Sequence, residues 1–190
     1  RAWTALFYML LSLATGIVYF TTVVAGLSLS GGFALTIIGI PVVILFIGLV
    51  RVLSLVEGRV VEVLLGERMP RRPLYVGRGQ PLLTRIANMF TDARTWSTML
   101  YQFLMLPLGV LYFTAVVTLM SVSLGLAIGG LVGMLERLGL GPLHGDFEVV
   151  GLPSPLLLPL LMAIGVLGVF LTLHLARGVG RLHGALAKQL

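Results

Sequence analysis

Long apolar runs separated by short polar stretches make up most of this chain. Four runs are long enough to span a membrane, because a helix needs roughly 20 apolar residues at about 1.5 Å each to cross the hydrocarbon. None of the four carries a charge through its core. The predicted membrane spans cover about 3–27, 33–56, 97–120 and 156–175.

One apolar stretch occurs twice in the chain, 93 positions apart and without a gap. Its matched positions hold a Trp, two Tyr and a Gly, which chance similarity between two apolar helices does not usually align. The pairs are Trp3 with Trp96, Tyr8 with Tyr101, Gly16 with Gly109, and Tyr19 with Tyr112. This match indicates an internal duplication, with two tandem helical hairpins that form a parallel repeat.

The remaining spans match more weakly, with Ile40-Pro41 set against Leu158-Pro159 at an offset of 118. We therefore predict one all-α membrane domain over 1–190, with four transmembrane helices and amphipathic interfacial helices in a cytoplasmic loop. The predicted parts are repeat one at 3–69, the cytoplasmic loop at 57–95, repeat two at 96–190, and an external loop at about 128–155.

Composition supports a membrane protein and argues against several other classes. Hydrophobic residues make up 58% and charged residues 11% of the chain, against roughly 25% charged in soluble domains. Mean hydropathy is +1.07. The absence of cysteine excludes disulfides, thiolate metal sites and cysteine nucleophiles. With no nucleophile–base set or phosphate loop in the sequence, we expect no enzymatic activity and no cofactor.

The charge distribution predicts the orientation in the membrane. Eight of the 13 basic residues lie between Arg51 and Arg94, and cytoplasmic loops collect Arg and Lys. We therefore expect this loop and both termini to be cytoplasmic, in the inner membrane of a bacterium. The net charge of +6 favours anionic lipid headgroups over nucleic acid as the partner. The predicted basic face comprises Arg59, Arg68, Arg71, Arg72, Arg78, Arg85, Arg177 and Arg181.

A stripe of tyrosine and glycine repeats on the first helix of each hairpin. Tyr8 and Tyr19 are 11 residues apart, and 11 steps of about 100° return to nearly the same helix face. Glycine on that face lets helices approach closely. We predict helix packing or an interface role for these residues, with a cofactor or lipid pocket as the alternative. The predicted set is Trp3, Tyr8, Gly16, Tyr19, Trp96, Tyr101, Gly109 and Tyr112.

Few other residues are candidates for chemistry. His144, Asp146 and Glu148 alternate along the predicted external loop, where an extended segment would aim all three to one side. They are a candidate cation site, and a solvated outer loop is the alternative. His174 near the end of span four and Glu57 after span two are each expected at the membrane interface.

Several short motifs resemble those of a known family. They are Trp3 with Tyr8, Ile38-Gly39-Ile40-Pro41, Arg51, Glu57-Gly58-Arg59, Leu64-Leu65-Gly66, Asp92-Ala93-Arg94-Thr95-Trp96, Tyr101, Leu106-Pro107-Leu108-Gly109 and the tail from Leu175 to Leu186. On these motifs the chain resembles the bacterial "putative sensor" membrane domain, which commonly precedes histidine kinase modules. The resemblance implies a domain that senses an envelope or membrane signal and passes it to a cytoplasmic output.

Two functions follow as hypotheses. The first is a sensor module that relays an envelope or bilayer signal to a cytoplasmic partner or output domain. The alternative is a structural or accessory subunit of a larger membrane complex. The expected partners are the bilayer with its anionic headgroups and a protein, either a kinase or regulator, a larger membrane complex, or a second copy of the chain.

Overall fold

The structure is a computed structural model and describes residues 2–33, 35–66, 84, 88, 91–140 and 157–188. Four long helices account for nearly all of these residues, and the described part of the chain contains no strand. Each helix is long and apolar enough to cross a membrane. The helices are α1 (Ala2–Gly32), α2 (Gly39–Leu65), α3 (Ala93–Arg137) and α4 (Leu157–Ala187).

The helices end beyond the apolar runs that predicted them, although the second begins at Gly39 rather than near position 33. The second ends at Gly66, whose φ of 73° is left-handed and whose N–H donates to the carbonyl of Glu62. Glycine adopts this conformation without the steric cost that a side chain brings, so it ends the helix there. The fourth helix likewise continues past position 175 to Ala187.

The third helix is also longer than predicted. It runs to Arg137, so residues 128–137 are helical. They fall in the predicted external-loop range of about 128–155, for whose first part, 126–135, an extension of span three and an interfacial segment are the two interpretations. No proline interrupts this stretch. A Cβ at Gly130 would lie 2.8 Å from the carbonyl oxygen of Leu158 on α4. The glycine therefore permits close helix packing, which offsets its low helix propensity.

The chain divides into two compact units. Unit 1 comprises Arg1–Phe113 and Arg177–Leu190, and so takes α1, α2, the first part of α3 and the last part of α4. In this unit α1 and α3 contact each other through glycines. A Cβ on Gly16 would lie 2.6 Å from the carbonyl oxygen of Met105, and one on Gly109 would collide with the carbonyl of Ser12.

Unit 2 comprises Thr114–Ala176 and pairs the second part of α3 with the first part of α4. Small residues again allow the two backbones to touch. A Cβ at Gly165 would collide with the backbone N of Ala127, and Gly168 lies against the side chain of Ser123. This seam is typical of membrane helices, which associate through close packing of small residues.

For the residues that the structure describes, the prediction of an all-helical protein with four apolar helices of spanning length is confirmed. The tandem repeat and the orientation stay predictions. The amphipathic helices predicted in the cytoplasmic loop fall mostly outside the described residues, which leave out 67–83, 85–87 and 89–90.

Candidate functional site

Six polar side chains converge inside unit 1, drawn from all four helices. We name this set the Glu57–His183 network. Its carboxylate and imidazole are almost wholly buried, because Glu57 is 2% exposed and His183 is 0% exposed. The members are Tyr8 and Tyr19 on α1, Glu57 on α2, Tyr101 and Tyr112 on α3, and His183 on α4.

The carboxylate of Glu57 accepts hydrogen bonds from three tyrosines. Tyr8 donates to Oε1 at 2.6 Å and Tyr101 to the same oxygen at 3.2 Å. Tyr19 donates to Oε2 at 2.9 Å. A buried carboxylate is tolerated only when such donors replace its hydration, so the three phenols make this position possible.

The imidazole of His183 contacts the same phenols from the opposite side. Its Nε2 lies 2.6 Å from the Tyr8 hydroxyl and 2.8 Å from the Tyr101 hydroxyl. Because both hydroxyls donate their protons to Glu57, their oxygens are left to accept from an Nε2–H group. Nε2 is also 3.9 Å from Oε1 of Glu57. The directions of all these hydrogen bonds are therefore mutually consistent.

The second imidazole nitrogen has its own tyrosine. The Tyr112 hydroxyl lies 3.4 Å from Nδ1, and the two rings meet edge to face at a centroid distance of 5.6 Å. The Tyr8 ring lies 5.1 Å from the imidazole. Three aromatic rings (those of Tyr8, Tyr101 and Tyr112) therefore surround His183 and shield it from water.

The glycines of the predicted stripe explain how the tyrosines meet. Gly16 lies between Tyr8 and Tyr19 on α1, and Gly109 lies between Tyr101 and Tyr112 on α3. Since each glycine touches the backbone of the other helix, α1 and α3 cross in direct contact. Their tyrosines then reach one shared space from both sides of the crossing.

Another buried polar side chain lies nearby on α3. The amide nitrogen of Gln102 donates to the carbonyl of Val50 at 2.9 Å. Its Oε1 is buried and has no hydrogen-bond partner in the part of the chain that the structure describes. The bond joins α3 to α2 one residue from Tyr101, and so supports the position of that tyrosine.

The expected depth of Glu57 at the membrane interface stays a prediction, but its side chain is buried among the helices, with 2% exposed. Its carboxylate lies inside unit 1, because α2 continues to Leu65 and keeps one face against the other helices. Apart from the adjacent pair Phe46 and Ile47, the buried positions of α2 recur every three, four or seven residues, as a helix with one packed face requires. They are Gly39, Phe46, Ile47, Val50, Ser54, Glu57 and Val61.

The buried face of α4 repeats that of α2 at an offset of 126. Glu57 then pairs with His183, and each is followed by glycine. The predicted offset of 118 aligns only Ile47 and Ser54 with buried residues and would place Glu57 on the exposed Leu175. The buried counterparts at 126 are Gly39 with Gly165, Phe46 with Thr172, Val50 with Ala176, Ser54 with Gly180, Glu57 with His183, and Val61 with Ala187.

The sequence contained a signal for the missed pair. Arg51 to Gly58 and Arg177 to Gly184 share the spacing Arg, five residues, then an ionisable residue and glycine. The ionisable residue is Glu57 in one and His183 in the other. Because hydropathy falls before both residues, we expected polar ends of spans there rather than a buried pair.

The other predicted site residues lie apart from the network. Trp3 and Trp96 are 64% and 53% exposed at the starts of α1 and α3, where the amphipathic indole suits an interface. Arg59 is exposed and pairs with Glu62 at 3.2 Å. Arg177 and Arg181 are exposed on α4. Arg68, Arg71, Arg72, Arg78 and Arg85 lie outside the described residues.

The candidate cation site of the external loop also lies outside the described residues, since His144, Asp146 and Glu148 fall in 141–156. Among the residues that the structure describes, no three His, Cys, Asp or Glu side chains form a group that could hold a metal. His174 is exposed on α4. The one convergence of ionisable and phenolic groups in the described chain is the Glu57–His183 network.

A family model described as "Putative sensor" matches residues 8–190, which is nearly the whole sequence and includes all six members of the network. Searches of the curated proteins and of the solved structures each returned no match.

Proposed function

Since the chain belongs to the "Putative sensor" family, we propose that it is a membrane-embedded module that relays an envelope or bilayer signal to a cytoplasmic partner or output domain. The observation that supports this most is the position of His183. It lies near the end of α4, and its hydrogen bonds go to tyrosines of α1 and α3 beside the carboxylate of α2. Any signal that disturbs the network therefore acts on the last turns of α4.

A sensor needs two arrangements that a stimulus can distinguish by affinity. A buried polar network can favour one helix arrangement over another. It stabilises an arrangement in which every donor and acceptor is paired and destabilises one in which a donor or acceptor is unpaired. Three phenols satisfy Glu57 in the arrangement described here. A stimulus that moves one helix would break several of these bonds together and favour a second arrangement.

The proposed orientation places this network toward the cytoplasmic side of a bacterial inner membrane. Both termini are then cytoplasmic, with the basic residues Arg177 and Arg181 next to the anionic headgroups of that leaflet. The end of α4 would contact the partner, for which a kinase or regulator is the proposed type. Charged loops and exposed arginines support this orientation. The same features are expected of an accessory subunit, so they do not distinguish the two functions.

The test is a distance measurement between the ends of α2 and α4. The chain has no cysteine, so Val63→Cys and Leu182→Cys give two defined label sites, both strongly exposed in unit 1. Labelled full-length chains in lipid nanodiscs are compared by electron-spin distance measurement. Glu57→Gln and His183→Gln should each shift or broaden the distance distribution, because each leaves a buried partner unpaired.

Matched controls come from exposed residues of the same types. Glu136→Gln and His174→Gln should leave the distribution unchanged, since both side chains are exposed. If the network variants behave like these controls, the proposed switch is wrong. Purification from native membranes separates the alternatives: a kinase or regulator bound to the chain favours the sensor, and a stoichiometric larger membrane complex favours an accessory subunit.

A further inference from the structure

The last turns of α4 carry positive charge that no acidic residue balances. Arg177 and Arg181 are exposed, and neither has an ion pair or a hydrogen bond among the residues that the structure describes. The sequence contains no Asp or Glu between positions 149 and 190. An anion that balances these two arginines therefore has to come from outside α4.

The corresponding part of α2 differs, because it carries its own acidic residues. Arg59 of α2 pairs with Glu62 at 3.2 Å. At the offset of 126 that aligns the buried faces, Arg59 falls on Ala185 and Glu62 falls on Lys188. The end of α4 thus has no counterpart of this ion pair and has a basic residue in place of the acidic one. The excess of positive charge is specific to α4.

The spacing of the two arginines suits a single phosphate group. Arg177 and Arg181 are one helical turn apart, and residues at this spacing have Cβ atoms about 5–6 Å apart. Two positive charges so placed repel each other, so an anion between them is favoured. Guanidinium groups bind phosphate oxygens through paired N–H donors. Both side chains can therefore donate to one phosphate.

The position of the arginines along α4 indicates that the phosphate belongs to a lipid. The helix is long and apolar enough to span a membrane, and its apolar run ends at Leu175, two residues before Arg177. Basic side chains at the end of an apolar run lie at the level of the lipid headgroups. A phospholipid can place its phosphate there and its acyl chains along the apolar run, which a soluble phosphate cannot do.

We infer that Arg177 and Arg181 together bind the phosphate of one anionic phospholipid in the cytoplasmic leaflet. A lipid with net negative charge is preferred to a zwitterionic one, because the positive group of a zwitterionic headgroup offsets the charge of its phosphate. The site is a defined pair of side chains on one helix face. It is distinct from the general attraction between a basic protein and an anionic membrane.

The two arginines point away from the Glu57–His183 network. At about 100° per residue, Arg177 lies about 120° and Arg181 about 160° around α4 from His183. The imidazole is wholly buried and both arginines are exposed. The network therefore contacts one side of these turns and the lipid contacts the other, so that bound lipid stabilises the position of the end of α4. This regulatory role rests on the proposed sensor function, whereas the lipid binding itself does not.

The test is to count lipids on the full-length chain by native mass spectrometry in mild detergent. Phosphatidylglycerol and phosphatidylcholine are supplied together as the anionic and the zwitterionic probe. Each arginine should favour the anionic lipid about fivefold, so we expect a preference of roughly 30-fold for phosphatidylglycerol. Arg177→Gln with Arg181→Gln should remove most of this preference. Each single variant should lower it about fivefold, and gives the result should the double variant not fold.

Two further double variants separate the site from charge in general. Arg59→Gln with Arg137→Gln removes the same charge from two exposed arginines elsewhere, and should retain the preference for phosphatidylglycerol. Arg177→Lys with Arg181→Lys should retain the preference in part, because lysine keeps the charge but not the paired donors. Thermal unfolding of each variant in the same detergent shows whether it is folded.

Three outcomes would overturn the inference: equal binding of the two lipids, an equal loss of preference in the control pair, or displacement of phosphatidylglycerol by millimolar inorganic phosphate. The last would assign the arginines to a soluble phosphate compound instead of a lipid.

The label distances between positions 63 and 182 keep the two proposals separate. If phosphatidylglycerol is preferred but leaves these distances unchanged in nanodiscs, the regulatory role alone is refuted. If Glu57→Gln and His183→Gln leave the distances unchanged, the proposed switch is refuted and the lipid site remains.

Discussion

Units 1 and 2 both bring helix backbones into contact through small residues, but they differ in what they bury. Unit 2 joins α3 and α4 through Gly130, Gly165 and Gly168. Its buried polar side chains, within the described residues, are Ser123 and Thr172. Unit 1 has the same type of glycine contact and adds a buried carboxylate, a buried imidazole and four phenols, of which those of Tyr8 and Tyr19 are buried and those of Tyr101 and Tyr112 half-buried.

This difference separates packing from function. Unit 2 shows that glycine and serine contacts suffice to pair α3 with α4, as membrane helices do generally. Ionisable groups among apolar helices are expensive, and their presence marks a functional site by default. Glu57 and His183 therefore cannot be explained by packing alone, and the proposed sensor function is assigned to unit 1.

The largest effect should come from removing the carboxylate. Glu57→Ala leaves three phenols without their acceptor and His183 without a neighbouring anion, so we expect about 3–5 kcal/mol of lost stability. Unfolding in mixed micelles of SDS and mild detergent measures the change. Glu136→Ala, on an exposed residue of α3, should change stability little. Similar values for both would contradict the assignment of Glu57 to a buried network.

A smaller effect is expected from crowding the seam of unit 2. Gly165→Leu places a side chain against the α3 backbone at Ala127, and overpacking of this kind costs about 2–3 kcal/mol. The same unfolding assay measures it. Gly125→Leu, with no atom near its added Cβ, should be neutral or slightly stabilising because leucine favours helix more than glycine. Equal destabilisation by the two variants would argue against the seam.

The smallest effects should rank the two outer tyrosines. Tyr19→Phe removes a 2.9 Å hydrogen bond to a carboxylate oxygen and should cost about 1.5 kcal/mol. Tyr112→Phe removes a 3.4 Å contact to Nδ1 and should cost about 0.5 kcal/mol. The reverse ranking would mean that His183 depends on Tyr112 more than Glu57 depends on Tyr19.

Much of the fold could be predicted from hydropathy, because an apolar run of spanning length forms a helix when it crosses a membrane. The repeated stripe also identified four of the six network members, Tyr8, Tyr19, Tyr101 and Tyr112. Their chemical role could not be predicted from it, since a tyrosine that packs and a tyrosine that donates to a carboxylate have the same spacing.

Glu57 and His183 were missed for a physical reason. Both follow the point where hydropathy falls, so a one-dimensional profile assigns them to polar ends of spans. Whether such an end is solvated depends on how far neighbouring helices extend alongside it, and that is a property of packing. The pattern shared by Glu57-Gly58 and His183-Gly184 indicates that the two positions are equivalent. The offset that aligns α2 with α4 is evident only from which residues of the two helices are buried.

The most direct test of the network is a double-mutant cycle between Glu57 and His183. Unfolding is measured for the unaltered chain, Glu57→Gln, His183→Gln and the double variant in the same micelles. We predict a coupling energy of about 1–3 kcal/mol, because the two residues share Tyr8 and Tyr101 as hydrogen-bond partners. Additive losses, within about 0.5 kcal/mol, would show that α2 and α4 are not joined through this network and would contradict its role as a switch.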